Sequence, residues 1–239
     1  MQVSENSSVL EIACGTGILT RALRTHLPST VKLNATDLNE PMFRHAAAKF
    51  RENEVVQWLL ADACSLPFGD GMFDAVICQF DIVFVPDKAL AAREAYRVLK
   101  PGGLFLFNVW DAIQHNALGQ LTQHIIVSDF DKDLPAFYEV PFGYHHQDEV
   151  ERVLGEAGFR EIKIEVVAKV GAASRAEDAA AGLVQGKSGG RGHRRTRPVI
   201  IAGYYQGRSS SDHRAVRRNR YSCSEEGHRP AGSVLKGGV

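Results

Sequence analysis

No window of this chain holds the run of roughly eighteen apolar residues that a membrane-spanning helix needs, and no basic segment followed by an apolar one opens it. The first absence argues against an integral membrane protein and the second against a secretory signal, so a soluble cytoplasmic protein is expected. Cysteine is scarce. Cys14, Cys64, Cys78 and Cys223 include no Cys-x-x-Cys pair, and three of them lie in or beside strands or binding loops, which disfavours disulfides and predicts reduced thiols. The formal net charge is zero, so no overall basic excess marks a nucleic-acid binder. What is present is 239 residues at 44% hydrophobic content, enough for one substantial core, with strand and helix patterns alternating from Val9 onward.

A further absence is informative because of where it falls. Val9-Leu10-Glu11-Ile12-Ala13-Cys14 is an apolar strand that breaks into Gly15-Thr16-Gly17 and then enters a helix, with Asp37 following about twenty residues on. Bare backbone at such a loop approaches a ligand closely, and a carboxylate at that distance holds ribose hydroxyls, so an adenosine-containing small molecule is expected. The loop continues Ile18-Leu19-Thr20, without the third glycine that packs helix on strand in dinucleotide sites. Glu11 lies inside the strand, where an acid repels a pyrophosphate and suits a cationic group.

Further motifs follow in order. Val31 to Thr36 reads as a second strand leading to Asp37, and Val55 to Leu60 as a third leading to Asp62-Ala63. Leu66-Pro67-Phe68 is a loop and Phe73 to Cys78 a fourth strand. Ala89 to Leu99 has helical apolar spacing and runs into Arg97-Val98-Leu99-Lys100-Pro101-Gly102-Gly103, a turn before a fifth strand, Leu104 to Val109. Gln147 to Gly158 reads as a helix and Ile162 to Val167 as a sixth strand. Taken together, Ser8 to Val167 resembles the class I S-adenosylmethionine-dependent methyltransferases, most closely the type 11 branch of quinone-biosynthesis and small-molecule enzymes. The resemblance implies an α/β fold with a Rossmann-like, doubly wound, mostly parallel sheet.

It also implies S-adenosylmethionine as cofactor and methyl transfer to a small-molecule acceptor by in-line displacement. The implied cofactor contacts are Glu11, Ala13, Gly15, Gly17, Asp37, Leu38, Asp62, Ala63 and Gln79. Gly15 and Gly17 would let the loop approach methionine and ribose, Glu11 would orient the methionine cation, Asp37 would take the ribose hydroxyls, and Asp62 with Ala63 would hold adenine. Gln79 would lie beside the methionine end. The acceptor pocket is expected where the carboxyl ends of the strands meet the loops after strands four and five, near Gln79, Phe80, Asp81, Asn108, Trp110 and the aromatic-rich segment from Asp111 to His146. No general base is assigned. His145 and His146 are expected to point apart if they lie in a helix or strand, and no cysteine or carboxylate cluster joins them as a metal site.

The neutral total conceals two unlike parts. Lys187 to Val239 carries twelve basic residues against three acidic ones, a net +9, which leaves −9 for residues 1–186. Residues 1–186 are therefore read as the methyltransferase domain and 187–239 as an Arg-, Gly- and Ser-rich tail, with the last strand of the sheet incomplete. The tail fits three descriptions: a nucleic-acid-binding extension, a disordered solvated segment, or the product of a reading-frame change near Gln185 to Lys187, the one favoured. Within it only Val199 to Tyr205 has strand character. The seven residues ahead of the first strand suggest that the helices covering the active site in relatives are missing. Two rival functions stay open. One is an inactive cofactor-binding remnant or an Arg-tail nucleic-acid binder, and the other is an NAD(P)-dependent oxidoreductase, which the lost third glycine disfavours.

Overall fold

Alternation with a period of two decides how the central strands pack. In β1 (Ser8–Ile12) Val9 faces one side of the sheet while Leu10 and Ile12 face the other, and in β4 (Phe73–Gln79) Ala75 and Ile77 oppose Val76 and Cys78. Both sides of these strands are apolar because both are covered, which is the condition for a parallel sheet. The computed structural model describes residues 4–129, 139–167 and 233–238. Among these, seven strands form one sheet in the order β3-β2-β1-β4-β5-β7-β6. The remaining strands are β2 (Lys32–Asp37), β3 (Gln57–Leu60), β5 (Leu99–Val109), β6 (Glu161–Val166) and β7 (Ser233–Gly238). β3, β2, β1, β4 and β5 run parallel, and β7 pairs antiparallel with both β5 and β6.

Helices close the two faces. On one side Leu19 and Leu23 of α1 (Ile18–His26) join Val9, Val31, Leu33, Ala75 and Ile77. On the other, Ala91, Ala95 and Val98 of α3 (Lys88–Val98) and Val150, Val153 and Leu154 of α5 (Gln147–Ala157) pack with Phe105, Phe107 and Phe159. α2 (Glu40–Ala47) starts at Asn39, whose side chain accepts from the Met42 amide, and has Pro41 in its first turn. Residues 113–129 and Glu139 belong to a second compact unit that contains α4 (Ala117–Asp129); there Gln123 Nε2 donates to Glu139 at 3.4 Å.

Arg-Val-Leu-Lys-Pro-Gly-Gly has a structural task. Arg97 donates to both Glu94 oxygens at 2.6 and 2.7 Å, to the Leu66 and Phe68 carbonyls at 3.1 and 2.7 Å, and to Asp70 at 2.9 Å, which ties the β3–β4 connection to α3. The register then jumps from Phe73↔Leu99 to Ala75↔Leu104, so Lys100 to Gly103 bulges out of the ladder as the expected turn, within one longer strand, and Gly102 takes a φ of 78°.

The seventh strand departs from expectation. It is formed by Ser233–Gly238, inside the stretch assigned from sequence to the tail, and it fills the position between β5 and β6. Ser-Val-Leu-Lys-Gly-Gly carries too little apolar alternation to signal a strand. Its place comes from the hydrogen-bonding edges that β5 and β6 offer it. The Arg-rich run, Val199 to Tyr205, and the aromatics Phe130, Phe137 and Tyr138 lie outside the described residues.

α5 stops at Gly158, which has a φ of 113°, and a Cβ there would stand 2.8 Å from the Tyr96 ring that packs on Phe159. Gly158→Ala is therefore expected to destabilise the fold by about 1–3 kcal/mol in urea titrations. An unchanged midpoint would show that this cap does not constrain the α3–α5 contact.

Candidate functional site

Because β1, β2 and β4 are parallel and adjacent, their carboxyl ends deliver three loops to one edge of the sheet. The loop after β1 turns through left-handed backbone at Ala13, Gly15 and Gly17, with φ values of 55°, 54° and 80°. Gly17 admits no larger residue, since a Cβ would come within 2.9 Å of Ala46 on α2. The Cys14 amide donates to the Thr36 carbonyl at 2.9 Å, and the Gly15 amide donates to Asp37 Oδ2 at 2.7 Å. Asp37 Oδ1 accepts from the Asn39 amide, also at 2.7 Å. The carboxylate thus holds the glycine loop in place while each oxygen keeps further acceptor capacity.

Glu11 is the most unusual group at this edge. The residue is 2% exposed, and its Oε2 and the neighbouring Thr20 hydroxyl make no hydrogen bond of ordinary geometry, although Thr20 lies close enough to act on the carboxyl. Burial pushes the Glu11 carboxyl up to about 7; Thr20 nearby favours the ionised form, whereas the charges of Asp37 and Asp81 oppose it. Asp81 follows β4 and caps no helix with its side chain. Its carboxyl rises to about 6, first through burial and then through Asp37. The Cys14 and Cys78 thiols in the same region are shifted upward mainly by burial, Cys78 to about 12, so neither is a nucleophile at neutral pH.

A second feature lies at the ends of β4 and β5. Gln79 pairs with Asn108 across the two strands, and the Phe80 amide donates to the Asn108 carbonyl and to its Oδ1 at 3.0 and 3.2 Å. Phe80 has a φ of 59°, a conformation costing about 1–3 kcal/mol for a bulky residue, and its ring stacks on Trp110 at 4.3 Å with an interplanar angle of 15°. Phe142 stands 6.4 Å from Trp110.

Of the residues expected to bind cofactor, Glu11, Ala13, Gly15, Gly17 and Asp37 come together at the β1–β2 edge. Leu38 is next to Asp37 and 70% exposed. Asp62 ends the β3 connection with its Oδ1 on the Cys64 amide at 2.8 Å, and Ala63 packs partly into the core. Gln79 ends β4. Asp81 was placed by sequence only in the general acceptor region; an acid directly after the fourth strand was the available signal. His145 and His146 sit in the loop before α5, so their rings lie 4.2 Å apart instead of diverging, and His145 Nδ1 contacts the Phe142 carbonyl. Among the described residues no group of three or more potential metal ligands converges, and no helix is long and apolar enough to cross a membrane. A buried acid with an orphaned oxygen, flanked by two more carboxylates, suits a cationic ligand, and S-adenosylmethionine carries a sulfonium and an ammonium.

The Glu11 shift has a consequence for stability. A carboxyl whose folded value lies above its unfolded 4.5 stabilises fully below pH 4.5, and that contribution is lost as pH rises through about 7. The ligand-free protein is expected to lose about 3 kcal/mol in this window through Glu11. Glu11→Gln should flatten the dependence in urea midpoints taken from pH 4.5 to 8, and a slope identical to wild type would place its origin elsewhere.

Comparison with known proteins agrees with this geometry. The profile of the family described as "Methyltransferase domain" matches residues 10–107. The chain is 30% identical over 175 residues to the ubiquinone/menaquinone biosynthesis C-methyltransferase UbiE of Proteus mirabilis, covering 67% of this chain and 69% of that one. It is 39% identical over 105 residues to the demethylmenaquinone methyltransferase of Lactiplantibacillus plantarum, covering 43% of this chain and 44% of its relative. The structure also superposes on a Haemonchus contortus phosphoethanolamine N-methyltransferase 2 solved with S-adenosyl-L-methionine, with a TM-score of 0.58 at 15% identity, covering 100% of this chain and 49% of that one. That last likeness is one of fold. With the strand order, the glycine loop tied to Asp37, and this relationship to the P. mirabilis enzyme, the chain belongs to the class I S-adenosylmethionine-dependent methyltransferases.

Proposed function

We propose that this chain methylates a small planar hydroxylated ring of the quinol type, with Glu11, Ala13, Gly15, Gly17, Asp37, Leu38, Asp62, Ala63 and Gln79 holding S-adenosylmethionine. The observation that carries the cofactor assignment is the Gly15–Asp37 hydrogen bond, which fixes a carboxylate and a part-buried glycine loop at one strand edge. Asp37 then has lone pairs left for ribose hydroxyls, and exposed Leu38 offers an apolar surface to the adenine ring. Asp62, whose Oδ1 is occupied by the Cys64 amide, retains Oδ2 for the adenine amino group. Glu11 supplies an anionic oxygen toward the methionine end.

The sulfonium brings an already activated methyl group, so the protein's part is alignment of the acceptor and exclusion of water. Phe80 and Trp110 support the acceptor assignment, because a stacked aromatic pair at the ends of β4 and β5 presents a flat apolar wall to a flat ring. The quinone-methylating relatives favour the same acceptor class.

The assignments are separable. Asp37→Ala should weaken S-adenosylmethionine binding by about 1–3 kcal/mol in calorimetric titration, and unchanged affinity would refute the ribose role. Trp110→Ala should lower kcat/KM for a demethylated hydroquinone by about two- to tenfold and leave cofactor affinity intact. Methylation of amines in preference to hydroquinones would refute the acceptor class.

A further inference from the structure

We propose that Asp81 makes the site discriminate between the sulfonium substrate and its thioether product, holding S-adenosylmethionine through charge and releasing S-adenosylhomocysteine once that charge has been lost. This inference rests on the cofactor assignment above and adds a residue and a task to it. Both ligands share the adenosine and the amino-acid end. They differ only in the methyl group and the positive charge on sulfur, so discrimination between them must come from groups near the sulfur.

The anionic groups at this edge divide the work unequally. Asp37 accepts from the Gly15 and Asn39 amides, which fixes it toward the glycine loop and the start of α2 and leaves its remaining lone pairs to the ribose. Glu11 is buried in β1 with an orphaned Oε2. Asp81 is the half-buried one, on the loop that leaves β4, and its carboxylate is engaged in no helix cap although its carbonyl accepts from the Phe84 amide at 2.9 Å. Its position follows from Phe80. The left-handed turn there sets the ring on Trp110, and the pairing of Ile12 with Cys78 between β1 and β4 brings the next residue out at the sheet edge where the glycine loop begins.

The charged and titratable groups that act on Asp81 or feel its charge are Asp37 from β2, Glu11 from β1, Cys78 from β4 and Cys14 from the glycine loop. All are acids, so the ligand-free site accumulates unfavourable negative charge. Burial and this repulsion leave Asp81 at about 6 and Glu11 at about 7, and a bound cation relieves both. When the methyl group departs, the S–CH3 bond electrons remain on sulfur as a neutral thioether. The carboxylates then face no sulfonium charge and repel one another as before, which favours product release.

The test is calorimetric titration of the full chain with S-adenosylmethionine and S-adenosylhomocysteine at pH 8, repeated in buffers of different ionisation enthalpy at pH 6.5. Wild type should prefer the sulfonium ligand and release protons on binding it at pH 6.5. Asp81→Asn should shrink that preference by about five- to a hundredfold, the Coulomb range for unit charges about 5 Å apart at a partly solvated site, with little change for the thioether. Asp81→Glu should restore it. Circular dichroism melts confirm that each variant is folded. Failure of both ligands to bind folded wild type would overturn the function itself. Binding of both with a ratio that Asp81→Asn leaves unchanged would overturn only this inference, as would equal weakening of the two.

Discussion

Burial of β1 on both faces and along both edges is the constraint on which the rest of the structure depends. Val9 and Leu10 are fully inaccessible, on opposite sides of the sheet, and the strand pairs in parallel with β2 and β4. A strand so enclosed cannot slip by one residue without exchanging its two apolar faces and moving Glu11 from its place beside Thr20 and Asp37. Register therefore fixes where the strand ends, and the end fixes the glycine loop. Parallel neighbours end at the same edge, so Asp37 arrives within hydrogen-bonding distance of Gly15, and Asp81 follows β4 at that edge.

The site concentrates what a stable fold otherwise avoids. Ala13 and Phe80 hold left-handed backbone, Glu11 is buried with an unsatisfied oxygen, and three carboxylates interact without a cation among the groups that shift them. Each of these is unfavourable alone, and together they occupy one edge of an otherwise well-packed sheet. A cationic ligand offsets the electrostatic part of that cost, which couples folding, protonation and binding through the same few residues.

The motifs were legible in the sequence because each is a local demand on backbone or charge. Gly15 and Gly17 are needed for positive φ, and Arg97 to Gly103 reads as a turn from its Pro-Gly-Gly alone, whereas the clamp of Arg97 on Glu94 came only with the structure. The strand limits were less legible. Val55 was expected in the third strand but is 68% exposed ahead of it, since an apolar pair before Gln57 looks the same in a strand and in a loop. The closing strand was not legible at all, because Ser233–Gly238 has two apolar residues and its pairing partners lie more than sixty residues away.

By itself the sequence determined the alternation of strand and helix, the glycine loop and the acid at the end of each early strand, since these depend on residue identity and short spacing, and the cofactor class followed from the family resemblance those motifs carry. Only the tertiary structure decided which acids share a field. Glu11, Asp37 and Asp81 are separated by tens of residues, and nothing in their spacing predicts that burial and mutual repulsion leave two of them titrating near neutrality. Electrostatics depends on distance through space and on exclusion of water, and both are set when β1, β2 and β4 pair. The stacking of Phe80 on Trp110 has the same origin, because it requires two adjacent strands to end together.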